Sequence, residues 1–210
     1  MLDQLPATIF ACLRRMDAEA TTIRNGAPTG LNWYAAHARP ELKKPQTEPE
    51  WSKRLARLLT DAGVPTRAEV PYPHDRRKRC DVVVTLPDDS GRVWIEIKGA
   101  WKHWWSQRGG LGIYRSYLFH PLLPGLIAKS HTVPNDLRKL SHLTPADARA
   151  AAMLLIGFDT PECSMDEDVE ELVRLAGLHE PDWMIATDEW HDPWRSGQLV
   201  RCWYWTRDAE

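Results

Sequence analysis

The 210-residue chain has few cysteines, little excess charge and no long apolar run. Its 4 cysteines are scattered without a C-x-x-C pair, which argues against a structural zinc site and fits reduced thiols. No stretch of about 18 apolar residues occurs, so no membrane association is expected. The N-terminus lacks a basic cluster before its short apolar segment, and we therefore expect a cytoplasmic location rather than secretion.

The sequence also lacks the signatures of several enzyme classes. It contains no Walker loop, no G-x-S-x-G elbow and no dinucleotide-binding glycine pattern. The net charge of −2 is less positive than that of most proteins that coat nucleic acid. A site that collects carboxylates around a metal would itself lower the net charge, so nucleic acid stays a candidate substrate. Tryptophan is abundant instead, with 11 Trp against 3 Phe, and it suits stacking surfaces as well as cores.

The spacing of apolar residues divides the chain into two segments. Residues 1–45 are predicted to form a helix, from Leu5 to Ile23, and the start of a proline-rich linker. Residues 46–210 are predicted to form a mixed α/β domain. Thr47 and Glu50 make a capping box that begins its first helix. Over residues 47–158 the predicted order is helix, three strands, helix, strand, and a further helix and two strands follow.

A predicted β-hairpin is the most informative part of the domain. Residues 81–86 are a β-branched run, residues 87–91 have turn composition, and residues 92–98 alternate with a period of two. Apolar side chains share one face of this hairpin and predict a core there: Val82, Val84, Leu86, Val93, Ile95 and Ile97.

The other face of the hairpin carries charged residues. If Asp88 and Asp89 are the two central residues of the turn, Asp81 lies opposite Glu96. If the loop runs over 88–91, Asp81 lies opposite Lys98. Cross-strand partners share a face, as do residues two apart, so both registers place these three side chains together. They form either an exposed cross-strand salt bridge or a catalytic cluster.

Clustered carboxylates repel each other, and a divalent cation such as Mg²⁺ relieves the repulsion. The metal would polarise a phosphoryl oxygen and lower the pKa of a bound water, while a neighbouring lysine would stabilise or deprotonate the nucleophile. Two carboxylates beside one amine therefore predict hydrolysis of phosphodiester bonds.

The motif formed by Asp81 and Glu96-Ile97-Lys98 resembles that of the PD-(D/E)xK nuclease superfamily, which includes many restriction endonucleases. The order of elements over residues 47–158 also resembles the core of that family. The resemblance implies a restriction-endonuclease-like domain over residues 46–210, extended by the N-terminal helix and the C-terminal strands. It implies that Asp81, Glu96 and the Ile97 carbonyl bind Mg²⁺ or Mn²⁺, and that Lys98 assists the attacking water.

The resemblance further implies a Mg²⁺-dependent endonuclease that cuts DNA in defence against foreign DNA or in repair. Many members add a glutamate from the first core helix, and Glu50 is the matching position. Its nearby substitute is Glu48, and capping alone would also explain a glutamate at position 50. Cys80 departs from the proline in the family motif, at a position that varies widely.

Several basic and aromatic residues are predicted to contact nucleic acid, although solvent-exposed or core positions would also explain them. These candidates are Arg76, Arg77, Lys78, Arg79, Lys102 and Trp104. An acidic group that includes Asp188 and His191 is predicted to form a solvated loop.

A second hypothesis comes from a different functional class. The domain would be a non-catalytic nucleic-acid-binding or protein-interaction subunit of a larger complex. No separate recognition domain is apparent in the sequence, so specificity would come from loops, from a homodimer or from a partner protein. The presence of all three residues, Asp81, Glu96 and Lys98, favours the hypothesis of an enzyme, because a non-catalytic binding subunit has no chemical need for this set.

Overall fold

A mixed β-sheet lies between two pairs of helices in the computed structural model, which describes residues 2–19, 23–24, 27–28, 30–31, 48–87, 90–105, 111–114, 133–179, 181–194 and 196–209. After a short 3₁₀ turn at Leu2–Gln4, the helices in these ranges are α1 (Leu5–Ala18), α2 (Glu48–Asp61), α3 (Val133–Leu140) and α4 (Asp166–Ala176). The strands are β1 (Ile23–Arg24), β2 (Ala27–Pro28), β3 (Thr66–Pro71), β4 (Arg79–Thr85), β5 (Arg92–Trp105), β6 (Leu111–Tyr114), β7 (Ala150–Asp159), β8 (Met184–His191) and β9 (Leu199–Asp208).

The strands of the main sheet follow the order β3-β4-β5-β7-β9-β8, with β6 beside the end of β5. The β5–β7 pair is parallel and the other pairs are antiparallel. A parallel pair needs a crossover connection, and α3 lies within this one. The α/β class predicted from the sequence is confirmed, and the order α2, β3, β4, β5, α3, β7 matches the predicted one apart from the short β6.

Each face of the sheet has its own apolar core. On one face, α1 and α2 pack against the residues that the hairpin pattern assigned to the core, including Val82 and Ile95. On the other face, α3 and α4 pack against residues of opposite parity, including Val83, Trp94 and Ala100. Because α1 belongs to the first core, the N-terminal helix packs directly on the sheet. The charged residues Glu96, Lys98 and Lys102 of β5 lie on the side of the sheet that faces α3 and α4.

The hairpin has the first of the two predicted registers. Val82 pairs with Ile95 and Thr85 pairs with Arg92, which places Asp81 opposite Glu96. The second hairpin strand is longer than predicted, because β5 continues beyond position 98 beside β7 and β6. A long central strand is stabilised by partners on both edges, which a local sequence pattern does not reveal.

Two local predictions near the chain ends are wrong. The first helix ends at Ala18 instead of Ile23, since the following chain turns back and the Leu31 N–H bonds Asp17 Oδ1 at 2.7 Å. The group around Asp188 lies in β8, where pairing with β9 outweighs its polar composition. The described residues contain no helix with the length and apolarity needed to cross a bilayer.

Candidate functional site

The candidate site lies where β4 and β5 separate, here termed the β4–β5 fork. Pairing between the two strands runs from Thr85 only to Val82, whereas β4 pairs with β3 as far as Arg79. The part-buried Asp81 therefore stands at the point of separation. Its Oδ2 atom accepts the backbone N–H of Ile97 at 2.7 Å. A side chain thus satisfies a main-chain donor where the strand-to-strand ladder stops.

Glu96 is the most deeply placed acid of the fork, at 2% exposure. Its Oε1 atom accepts the Tyr72 hydroxyl at 2.6 Å and the Lys139 ammonium at 3.3 Å. Burial raises the pKa of the Glu96 carboxyl well above its ordinary value, and the carboxylates of Asp81 and Asp136 raise it further. Lys139 opposes this shift without cancelling it. The site therefore lacks enough positive charge to ionise Glu96 readily.

The lysine of the motif is also buried, at 4% exposure. Lys98 Nζ lies 3.2 Å from Asp136 Oδ2, and Lys139 Nζ lies 2.5 Å from Asp136 Oδ1. Asp136 and Lys139 are one turn apart on α3, so this short helix brings an acid and a base to the fork together. The alternative of an exposed cross-strand salt bridge is wrong, because the face is covered and both β5 side chains form ion pairs with α3.

Tyr72 and an exposed basic loop form the side of the site next to β3. The buried Tyr72 ring stacks on Trp94 with centroids 5.3 Å apart, which fixes the hydroxyl toward Glu96. Its N–H donates to the Lys78 carbonyl at 3.1 Å, closing the loop that connects β3 to β4. This loop holds three of the four predicted basic residues, at positions 76–78, and the fourth, Arg79, begins β4; all four are exposed. Their positive charge lies in the segment directly before Asp81.

Two predicted residues, Glu50 and Lys102, do not join this cluster. Glu50 is exposed in the first turn of α2, and α2 packs on the opposite face of the sheet. Lys102 is buried and lies 2.5 Å from Asp168 of α4, so the prediction that it contacts nucleic acid is not supported. Trp104 pairs with Gly112 in the β5–β6 ladder. The side chains of Trp104 and Glu48 lie outside the described part of the chain.

Sequence reasoning missed Tyr72, Asp136 and Lys139. A signal for Asp136 was present in the apolar stripe of α3, where it takes a core position between Val133 and Leu140. An acid within such a stripe indicates a buried partner of opposite charge. No comparable pattern marks Tyr72, because its role depends on how β3 lies against the fork.

The donor set at the fork fits a small divalent cation. The described residues contain no group of three or more His, Cys, Asp or Glu side chains arranged around a metal position. Mg²⁺ is nevertheless commonly held by one or two carboxylates, with water and substrate oxygens completing its shell. Asp81 and Glu96 supply such a pair. The Ile97 carbonyl points to the same edge of β5 as its N–H, and therefore toward Asp81.

Comparison with known proteins gives no relative from which a function could be transferred. No protein-family model matches the chain, and no curated protein or solved structure matches it. A function for this protein must therefore be inferred from the residues of the fork.

The raised pKa of Glu96 predicts a pH-dependent stability. A carboxyl whose pKa is higher in the folded than in the unfolded state lowers the free energy of unfolding as pH rises from about 4.5, the ordinary value. Glu96→Gln should therefore raise the melting temperature in EDTA by several degrees at pH 8, and by much less at pH 4. Melting curves at the two pH values, with the exposed Glu171→Gln as control, test this; an equal gain at both would contradict it.

Proposed function

We propose that this protein is a metal-dependent nuclease that hydrolyses phosphodiester bonds of DNA. The observation that carries the proposal is the convergence of Asp81, Glu96 and Lys98 at a buried fork beside an exposed basic loop. Burial of charged side chains lowers the free energy of unfolding unless their mutual attraction offsets the loss of hydration. A cluster of two acids and a lysine at a largely buried position is therefore more typical of a catalytic site than of a stabilising one. The order of helices and strands around the fork also supports a restriction-endonuclease-like core.

Each residue of the fork has a role in this proposal. Asp81 and Glu96 would hold the metal with the Ile97 carbonyl. The Lys98 ammonium would orient the attacking water and stabilise the hydroxide formed from it, while the proton leaves to solvent. Asp136, at 3.2 Å from Lys98 Nζ, keeps that ammonium within the site. When bound, Mg²⁺ supplies polarisation of the phosphoryl oxygen and an acidified water. The basic loop contacts the flanking phosphates, whose negative charge it complements.

Cleavage assays test the proposal directly. Plasmid and single-stranded DNA are incubated with the protein and Mg²⁺ or Mn²⁺, with EDTA as the control. Metal-dependent cutting is expected, and its loss in a Lys98 variant would assign it to this site. Cutting that persists in EDTA would overturn the proposal. Metal binding and DNA binding without cutting would favour the second hypothesis, a non-catalytic subunit, and light scattering would then show whether the chain dimerises.

The exposed basic loop predicts a salt-dependent contribution to DNA binding. Arg76→Ala combined with Arg77→Ala should weaken binding similarly for all sequences and reduce the slope of log affinity against log salt by about 2. Arg79 is left intact, because its guanidinium also bonds the Glu69 carbonyl at 2.7 Å. Fluorescence anisotropy at several salt concentrations measures the slope.

The control for the loop variant is Arg57→Ala, which removes an exposed arginine from α2 on the opposite face of the sheet. We expect this control to change the slope by much less. Equal slopes for the loop variant and the unmodified protein would show that the loop lies outside the DNA-binding surface.

A further inference from the structure

With all three of its acids ionised, the fork has an unbalanced negative charge that an added cation would neutralise. Three carboxylates, those of Asp81, Glu96 and Asp136, stand against the two ammonium groups of Lys98 and Lys139. This group of five has a formal excess of one negative charge in a region that is largely closed to solvent. A low-dielectric environment strengthens the repulsion between the acids, so the placement of each ammonium matters.

The two lysines are placed differently. Lys98 extends from the central strand β5 and its side chain is 5% exposed, whereas the Lys139 side chain extends from the last turn of α3 and is 18% exposed. Lys139 is thus the ammonium nearer to solvent. Its four-carbon stem can carry the charge outward, and the carbonyl end of the helix favours a cation there as well.

Lys139 also occupies the place between two acids. Its Nζ lies 2.5 Å from Asp136 Oδ1 and 3.3 Å from Glu96 Oε1. The ammonium therefore lies directly against the acid that the proposed function assigns to the metal.

We propose that Lys139 is a built-in counter-cation of the fork, which a divalent metal must displace from Glu96, so that this residue sets the metal affinity. The inference rests on the proposed function for Glu96 as a metal ligand. Lys139 is then a positioning residue: it holds Glu96 in the absence of metal and moves toward solvent when metal enters. A metal site with a competing internal cation binds more weakly than the same site without one.

Isothermal titration with Mn²⁺ tests the inference without any measurement of cleavage. Lys139→Met keeps the length of the side chain and removes the competing charge, so we expect about tenfold tighter Mn²⁺ binding. Lys139→Arg keeps the charge and can form two parallel bonds to a carboxylate, so we expect binding several-fold weaker than in the unmodified protein. The two substitutions thus have opposite expected signs.

Arg138→Met is the matched control for general electrostatics, since it removes an exposed positive charge from the adjacent position of the same helix. We expect it to change the Mn²⁺ affinity less than twofold. The increase in melting temperature caused by saturating Mn²⁺ should also be larger for Lys139→Met than for the unmodified protein, because the metal then relieves a larger charge excess. If Lys139→Met does not fold, the Lys139→Arg titration alone decides.

The outcomes separate the inference from the function on which it rests. If the unmodified protein and Lys139→Met bind Mn²⁺ with the same affinity, the role of Lys139 is overturned and the nuclease proposal stands. Tighter binding in both Lys139 variants would also overturn it, because packing rather than charge would then be responsible. Absence of Mn²⁺ binding in the unmodified protein and in Lys139→Met would overturn the inference together with the metal-dependent function.

Discussion

Replacement of Lys98 by methionine should reduce metal-dependent DNA cleavage by about 100-fold or more. This expectation follows from the typical contribution of a preorganised group that stabilises charge developing in the transition state, which is about 10²–10³-fold. Methionine keeps the length and apolar stem of the side chain, so it removes the ammonium while it preserves most of the packing. Cleavage rates at saturating Mg²⁺, compared with DNA affinity in Ca²⁺ or EDTA, separate a loss of chemistry from a loss of binding.

The Lys98 substitution also breaks a buried ion pair with Asp136 and should lower stability. Cleavage rates must therefore be compared at a temperature at which both proteins are fully folded. Asp168→Asn provides the matched control, because Asp168 is a buried acid of α4 that pairs with Lys102 on the same strand and face. We expect both variants to lose stability and only the Lys98 variant to lose cleavage. Near-normal cleavage by Lys98→Met would remove this lysine from the mechanism.

Substitution of Asp17 by alanine should lower the free energy of unfolding by about 3 kcal/mol, since hydrogen bonds to a charged group contribute about 1.5–3 kcal/mol each. The Asp17 carboxylate is fully buried and accepts the Leu31 N–H at 2.7 Å and the Trp190 indole N–H at 2.8 Å. It therefore joins α1 to the chain that follows it and to β8, far away in sequence. Alanine would leave both donors without this acceptor.

Thermal and urea unfolding would measure this loss, which corresponds to a decrease in melting temperature of about 6–12 °C. Asp17→Asn retains an acceptor oxygen and should cost less than alanine. Glu19→Ala, at the exposed end of the same helix, should leave the melting temperature nearly unchanged. A small effect of Asp17→Ala would mean that α1 is held to the sheet by apolar packing alone.

The hairpin illustrates how much of the candidate site could be predicted locally. Strand residues alternate between two faces, so the spacing of Asp81, Glu96 and Lys98 was sufficient to place them together in either register. The same parity identified the apolar residues that face α1 and α2. The order of helices and strands followed from capping, turn residues and periodicity, which act over a few positions.

Long-range packing decided the rest. Whether the charged face of β5 was exposed or covered depended on α3, which places Asp136 and Lys139 against it from more than 30 positions further along the chain. The docking of α4 likewise withdrew Lys102 from the surface, and the parting of β4 from β5 gave Asp81 a main-chain partner. Which side chains share a face could be predicted from the order of residues alone, because alternation is a property of the local backbone. Which of those charges are buried, and what neutralises them, depends on the packing of neighbours from distant parts of the chain, and no local pattern predicts it.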